Sequence, residues 1–171
     1  MRRPDLLPDC GSCAAVCCVA TSFERSNDFA CDKPAGVRCQ HLTSGDRCSI
    51  HALRAERGFH GCILYDCYGA GQRVTGAFGS EPSPARDGAF LAARDLHELL
   101  FLLTEAAALC PPASSDLCMQ LEAEIAALDA IAAPAQRVLD EHRAVAHGLL
   151  RRVGAALGGR RTTARLPIVR S

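Results

Sequence analysis

The cysteines are the residues of this sequence whose types and spacing most clearly indicate chemistry. Eleven occur in 171 residues, and nine of these lie within residues 1–67. The densest group has the spacing Cys-x2-Cys-x3-Cys-Cys, and a Cys-x2-Cys pair is a common chelating unit because a short turn brings two thiolates to one metal ion. Seven further cysteines follow this group, and we include four of them as ligands. We predict eight metal ligands: Cys10, Cys13, Cys17, Cys18, Cys39, Cys48, Cys62 and Cys67.

Eight thiolates suffice for two four-coordinate sites, or for one iron–sulfur cluster with thiols to spare. If residues 10–18 are helical, Cys10, Cys13 and Cys17 share one face. Cys18 then points about 100° away. One ion could take its ligands from the first face, and a second centre could use Cys18. A disulfide knot and simple packing of thiols are the alternatives.

The remaining cysteines and the neighbouring histidines are expected to stay outside the ligand set. Cys31 would make a ninth ligand, and we predict that it does not bind metal. Cys110 and Cys118 lie beside predicted helices, where small buried apolar residues are expected. The histidines close to the cysteines are interpreted as surface or neighbouring residues rather than ligands: His41, His51 and His60.

Charge and hydropathy exclude several classes of protein. The 19 basic and 19 acidic residues give a formal net charge of zero, so the sequence does not predict a nucleic-acid partner. Pro4, Asp5, Pro8 and Asp9 interrupt any apolar segment of a signal peptide. The longest purely apolar run, residues 99–103, is too short to span a membrane. We therefore predict a cytoplasmic protein, where thiols stay reduced and dense cysteines favour metal binding.

The chain changes character along its length. Residues 1–9 form a short polar lead, and residues 10–80 form the cysteine-cluster unit. A Gly-, Ser- and Pro-rich stretch over residues 69–88 is typical of a linker. Residues 89–157 are rich in Ala and Leu with helical spacing. The basic segment 158–171 is expected to be a disordered tail.

Three helices fit residues 89–157. The first ends at Cys110-Pro111-Pro112, because two prolines cannot continue a helix. The second begins at Ser114-Ser115-Asp116, and the third begins at Pro134. The third should present to a core Val138, Val145, Leu149 and Val153. The predicted fold is mostly α, with an irregular, metal-organised, cysteine-rich unit packed on a three-helix antiparallel bundle.

No signature of nucleophilic catalysis or nucleotide binding accompanies the cysteines. Neither a Gly-x-Ser-x-Gly nor a Gly-x4-Gly-Lys-Ser/Thr motif occurs. Lys33 is the only lysine, in the turn Asp32-Lys33-Pro34. We expect it to be a solvated turn residue rather than a Schiff-base lysine.

Short segments outside the first cysteine group complete a recognisable pattern: Asp32-Lys33-Pro34-Ala35-Gly36, Cys39, His41-Leu42, Arg47-Cys48, Ile50-His51, Arg57-Gly58-Phe59, Gly61-Cys62, Asp66-Cys67, Gly69-Ala70-Gly71-Gln72 and His97-Glu98-Leu99-Leu100. With the Cys-x2-Cys-x3-Cys-Cys group, this pattern resembles the CxxCxxxCC family, described as zinc- or iron-chelating domains. The cysteine part of flagellin lysine N-methylases looks similar. A closer resemblance is to the N-terminal region of actinobacterial pentapeptide-repeat proteins.

The resemblance implies that the same eight cysteines are ligand positions, for zinc, for iron or for a 4Fe–4S cluster. In the relatives, runs of Ala-Asp/Asn-Leu-x-x pentapeptides would follow, and no such run occurs here. The function predicted is therefore a metal-binding, non-catalytic structural or interaction module, with a protein partner for its helical bundle. The alternative is an iron–sulfur-dependent redox or group-transfer enzyme of the methylase kind.

Overall fold

A computed structural model describes residues 5–132, 134 and 136–158. These residues are mostly helical, as the sequence predicts. Within them, β-pairing is limited to two isolated antiparallel bridges, Phe23 with Lys33 and Leu42 with Cys48. Among the helices of the described chain, none combines the length and the apolar character that a membrane span requires. Of the tail predicted to be disordered, residues 158–171, the first residue ends a helix, and residues 159–171 lie outside the described residues.

The chain divides into two compact units. Residues 5–98 form what we call the N-terminal unit, and residues 99–132 with 136–158 form the C-terminal unit. The division lies inside the long helix α4, Pro84–Leu109. The amino-acid composition instead predicts the boundary between the two parts of the chain at residues 80–89.

The N-terminal unit is built on short helices and irregular turns. Helix α1 spans Val16–Ala20, α2 spans Gly61–Leu64 and α3 spans Ala70–Phe78. Helices α1 and α3 contact each other and the start of α4 through one buried cluster: Val16, Ala20, Ala70, Val74, Phe90 and Ala93. No hydrophobic side chain of residues 21–58 is buried. Apolar burial therefore stabilises the helices of this unit more than its long irregular segment, whose apolar contacts include those of the partly buried Phe23 with Phe29 and with the buried Phe59.

The interpretation of residues 69–88 as a linker is wrong. Helix α3 occupies most of the stretch, and α4 already begins at Pro84. Arg86 is completely buried, and its guanidinium donates a hydrogen bond to the carbonyl oxygen of Ser80 at 2.6 Å. Small residues here permit close packing of backbones, which composition alone does not distinguish from flexibility.

The C-terminal unit contains two helices that contact each other, α5 over Ser115–Asp129 and α6 over Gln136–Gly158. A 2.7 Å contact between His142 Nδ1 and Glu124 Oε1 joins them. Val145 is half exposed, so its predicted core position on α6 is wrong. The residues that α6 buries are Leu139, Ala146, Leu149 and Val153.

Cys110 and Cys118 form a disulfide bond, so the expectation that they are unbonded apolar residues is wrong. Cys110 follows the end of α4, and Cys118 lies in the first turns of α5. Between them, Pro112–Ser114 form a 3-10 turn that reverses the chain. This turn brings the two Cα atoms to 5.8 Å, a separation that a disulfide bridges without backbone movement.

Replacing both Cys110 and Cys118 with Ala should lower the free energy of unfolding of the C-terminal unit by about 2–3 kcal/mol, because a closed loop restricts the unfolded chain. Urea denaturation followed by circular dichroism measures this loss. Dithiothreitol should destabilise the parent protein in this unit and leave the double variant unchanged. Equal stability of parent and variant would contradict the disulfide.

Candidate metal centre

The turn that carries Cys10 is fixed from two sides. The Asp9 carboxylate accepts hydrogen bonds from Ser12 Oγ at 2.6 Å and from the Gly11 N–H at 2.8 Å. These bonds lower the pKa of Asp9. From the other side, the Arg47 guanidinium donates to the carbonyl oxygens of Cys10 and Gly11, both at 2.7 Å. The side chains of Asp9 and Arg47 therefore hold the turn that carries Cys10 in its conformation.

The cysteines of the first group do not share one continuous helix. Cys10 lies in a turn, and α1 begins only at Val16. The residue before α1, Ala15, has a left-handed backbone with φ 50°. This residue redirects the chain between Cys13 and the helical pair Cys17 and Cys18, so the predicted single helical face is not formed.

Three of the predicted ligands meet beside α3. Cys13, Cys17 and Cys67 all pack against the buried cluster that joins α1, α3 and α4. A Cβ atom added at Gly71 would lie 2.7 Å from Cys13 Sγ and 3.8 Å from Cys67 Sγ. Both sulfurs therefore approach the same point of α3. Burial raises the pKa of Cys10, and the thiolates of Cys13 and Cys67 add to this rise.

Backbone hydrogen bonds bring other predicted ligands together. The N–H of Cys39 donates to the carbonyl oxygen of Cys18 at 3.0 Å. The N–H of Leu42 donates to the carbonyl oxygen of Cys39, and Leu42 forms an antiparallel bridge with Cys48. Cys18, Cys39 and Cys48 therefore lie on adjoining backbone segments.

Arg54 ties Cys62 to the same region. Its Nη1 donates to the carbonyl oxygen of Cys62, and its Nε donates to that of His51, each at 2.9 Å. The His51 N–H in turn donates to the carbonyl oxygen of Cys48 at 3.3 Å. The Arg54 guanidinium thus links the turn that follows Cys48 to Cys62.

Burial and the proximity of other thiols change the pKa values of several cysteines in this region. Burial raises the pKa of Cys62 to about 11, and thiolates at Cys18, Cys39 and Cys48 add to the rise. Burial also raises the pKa of Cys39. The sulfurs of Cys17 and Cys18 lie 3.9 Å apart; their hydrogen bond raises the pKa of Cys17 and lowers that of Cys18 to about 7. Crowded, partly buried thiolates are stabilised by a bound cation.

The side chains do not yet converge at coordination distance. Within the described residues, no three His, Cys, Asp or Glu side chains are placed to hold a metal ion. A cysteine sulfur is set by one rotatable bond, and a change between staggered χ1 wells moves it by about 3 Å. A metal site at these thiols would therefore require rotation of cysteine side chains.

Lys33 is buried rather than solvated, and the expectation for this residue is wrong. Only 5% of it is exposed, and burial lowers its pKa. Its ammonium donates to the carbonyl oxygens of Val19 at 3.0 Å and Pro34 at 3.1 Å, and also to that of Thr21. No residue pattern around Lys33 indicates this burial, because the three carbonyl oxygens are gathered only in the folded backbone.

The residues predicted to lie outside the ligand set have other neighbours. Gln40 Nε2 donates to Cys31 Sγ at 3.4 Å. The His41 ring packs edge-on against Phe59, with ring centroids 5.0 Å apart. His60 is exposed and precedes α2. Their exclusion as ligands stays a prediction.

Gly71→Ala should weaken metal binding about tenfold, the lower end of the cost of disturbing residues that support a metal ligand. The new Cβ would lie 2.7 Å from Cys13 Sγ and 3.8 Å from Cys67 Sγ, so it would occupy space beside α3 that these two sulfurs share. Competition with a chromophoric chelator measures the affinity.

Gly76→Ala is the matched control, because a Cβ there meets nothing within 4 Å on the same helix. It should retain the affinity of the parent and raise helix stability by about 0.5–1 kcal/mol. Equal affinities for the two variants would show that Gly71 does not position a ligand.

No family model matches the chain, and no solved structure matches it. A protein of Bacillus subtilis (strain 168), described as "Uncharacterized protein YybG", is 41% identical to this chain over 110 residues. The similar region covers 60% of this chain and 39% of that protein. The chain thus spans about two fifths of the relative's length, and the description of the relative assigns no activity.

Proposed function

We propose that this protein binds zinc or iron through eight cysteine thiolates and acts as a structural or interaction module rather than as an enzyme. The ligands proposed are the eight named from the sequence. The proposal includes a cytoplasmic location, since nine of the eleven cysteines are free thiols. The Cys110–Cys118 disulfide is then an exception to the reduced state that is usual in that compartment. It also includes a three-helix bundle of the C-terminal part of α4 with α5 and α6 as the surface for a protein partner.

One observation carries the proposal. Residues 21–58 bury no hydrophobic side chain, yet their backbone makes specific bonds around the cysteines. Its apolar contacts include a small aromatic cluster, in which the partly buried Phe23 packs on Phe29 and on the buried Phe59. A segment of this length with so small an apolar cluster needs another source of stability, such as a metal ion or disulfides. In this unit the cysteines are free thiols rather than disulfides. Metal–thiolate bonds are therefore the source that fits these residues.

A structural role follows from the chemistry of the donors. Thiolates are soft ligands that bind zinc and iron strongly. A four-cysteine site is closed, because every coordination position of a tetrahedral ion is taken by protein. Such a site contributes to folding and leaves no position for a substrate.

Changing each of the eight cysteines to Ser should lower the metal content of the purified protein, because a hydroxyl binds a soft ion far more weakly than a thiolate. Elemental analysis by mass spectrometry, after anaerobic purification, gives the metal content per chain. A parallel assay for acid-labile sulfide distinguishes metal ions from an iron–sulfur cluster.

Cys31→Ser is the matched control in the same unit. It should keep the full metal content, as should Cys110→Ser in the C-terminal unit. A loss for Cys31→Ser equal to that for Cys39→Ser would require a different ligand set. Full metal content in all eight variants would contradict the proposed function.

A further inference from the structure

The free thiols of the N-terminal unit separate into two sets by the elements that hold them. Cys13, Cys17 and Cys67 pack against the helical cluster of α1, α3 and α4. Cys10 reaches this set through the short turn that ends at Cys13. These four residues come from the beginning and the end of the cysteine-rich sequence.

The other set lies on the irregular segment between α1 and α2. Cys18 and Cys39 share a backbone hydrogen bond of 3.0 Å. Cys48 joins them through its bridge with Leu42. Cys62 is linked to the turn after Cys48 by the two bonds of Arg54.

The two sets approach each other at Cys17 and Cys18. These residues are consecutive in α1, and their Sγ atoms lie 3.9 Å apart.

Consecutive helical residues project about 100° apart, so neighbours on a helix can serve two different centres. Cys17 faces the buried cluster, whereas the backbone of Cys18 bonds to Cys39. The pair thus stands at the junction of the two sets. Each set offers four thiolates, the number that a tetrahedral Zn²⁺ ion takes in a closed site.

On the basis of the proposed function, we propose that the protein holds two separate tetrathiolate sites, each for one Zn²⁺-like ion, with interleaved ligands. The first site consists of Cys10, Cys13, Cys17 and Cys67. The second site consists of Cys18, Cys39, Cys48 and Cys62.

Paired substitutions test the division. The full chain is loaded with Zn²⁺, exposed to a competing chelator, and weighed by native mass spectrometry. The parent should retain two ions. The within-site variant Cys13→Ser/Cys67→Ser should retain one, as should Cys39→Ser/Cys62→Ser. The cross-site variant Cys13→Ser/Cys39→Ser should retain none.

Loading with ¹¹³Cd²⁺ distinguishes the loss of one metal site from unfolding of the variant. The parent should give two cadmium resonances, and each within-site variant should keep the resonance of the other site near its original chemical shift. A single substitution that abolishes both resonances, or cadmium–cadmium coupling through a shared sulfur, would overturn the division in favour of one joint cluster. A parent that binds no ion would overturn the proposed function as well, whereas two bound ions with another pattern of losses would overturn the division alone.

Discussion

Removal of the metal should unfold the irregular part of the N-terminal unit, residues 21–67, and leave helices α5 and α6 folded. Residues 21–58 bury no hydrophobic side chain, and the aromatic cluster of Phe23, Phe29 and Phe59 is small, so little apolar burial replaces the lost bonds. Structural zinc sites contribute about 10 kcal/mol or more of binding free energy, which exceeds the whole stability of a small domain in many cases. Metal binding would then be part of folding.

Hydrogen exchange measured by mass spectrometry resolves this effect along the chain. After treatment with a strong chelator under reducing conditions that spare the Cys110–Cys118 bond, peptides from residues 21–67 should lose their protection. Peptides from α5 and α6 are the internal control and should keep theirs. Unchanged protection of residues 21–67 in metal-free protein would contradict a structural role for the metal.

Lys33→Met should destabilise the N-terminal unit by about 3 kcal/mol, because hydrogen bonds from a charged donor contribute about 1.5–3 kcal/mol each and buried carbonyls would lose their donor. Three carbonyl oxygens share this ammonium: those of Val19, Thr21 and Pro34. Methionine has a similar length and leaves little empty volume. The loss is therefore assigned to the charge and its hydrogen bonds.

Tyrosine fluorescence during urea denaturation measures this loss selectively, since the chain has two tyrosines, Tyr65 and Tyr68, and no tryptophan. Arg38→Met is the matched control. Arg38 is an exposed cation that pairs with Asp46 at 2.7 Å and donates to the carbonyl oxygen of Thr43. In contact with solvent, its ion pair should contribute about 1 kcal/mol or less. Equal midpoints for Lys33→Met and Arg38→Met would show that the buried ammonium does not stabilise the fold.

Helix α5 illustrates what the sequence predicts well. Its apolar residues recur at intervals of four, four and three, and each of them is buried: Leu117, Leu121, Ile125 and Leu128. A continuous period of this kind depends only on the geometry of the helix. On α6 the apolar period is less regular. Val145, a predicted core residue, is half exposed, whereas Leu139, which is not among the predicted core residues, is buried.

The contacts around the cysteines depend on tertiary structure, which spacing does not reveal. The Cys-x2-Cys unit predicts a local turn, but the approach of Cys67 to Cys13 depends on how α3 packs. The burial of Lys33 depends on three carbonyl oxygens that the folded backbone gathers. The Cys110–Cys118 disulfide depends on the turn between two helices.

The proposed function requires that the thiols of the N-terminal unit bind metal ions. Native mass spectrometry of the anaerobically purified full chain, with no metal added, shows whether they do. The expected mass is that of the chain plus two bound ions, with the eight cysteines protected from alkylation. The mass of the bare chain, with those thiols freely alkylated in a folded protein, would contradict it.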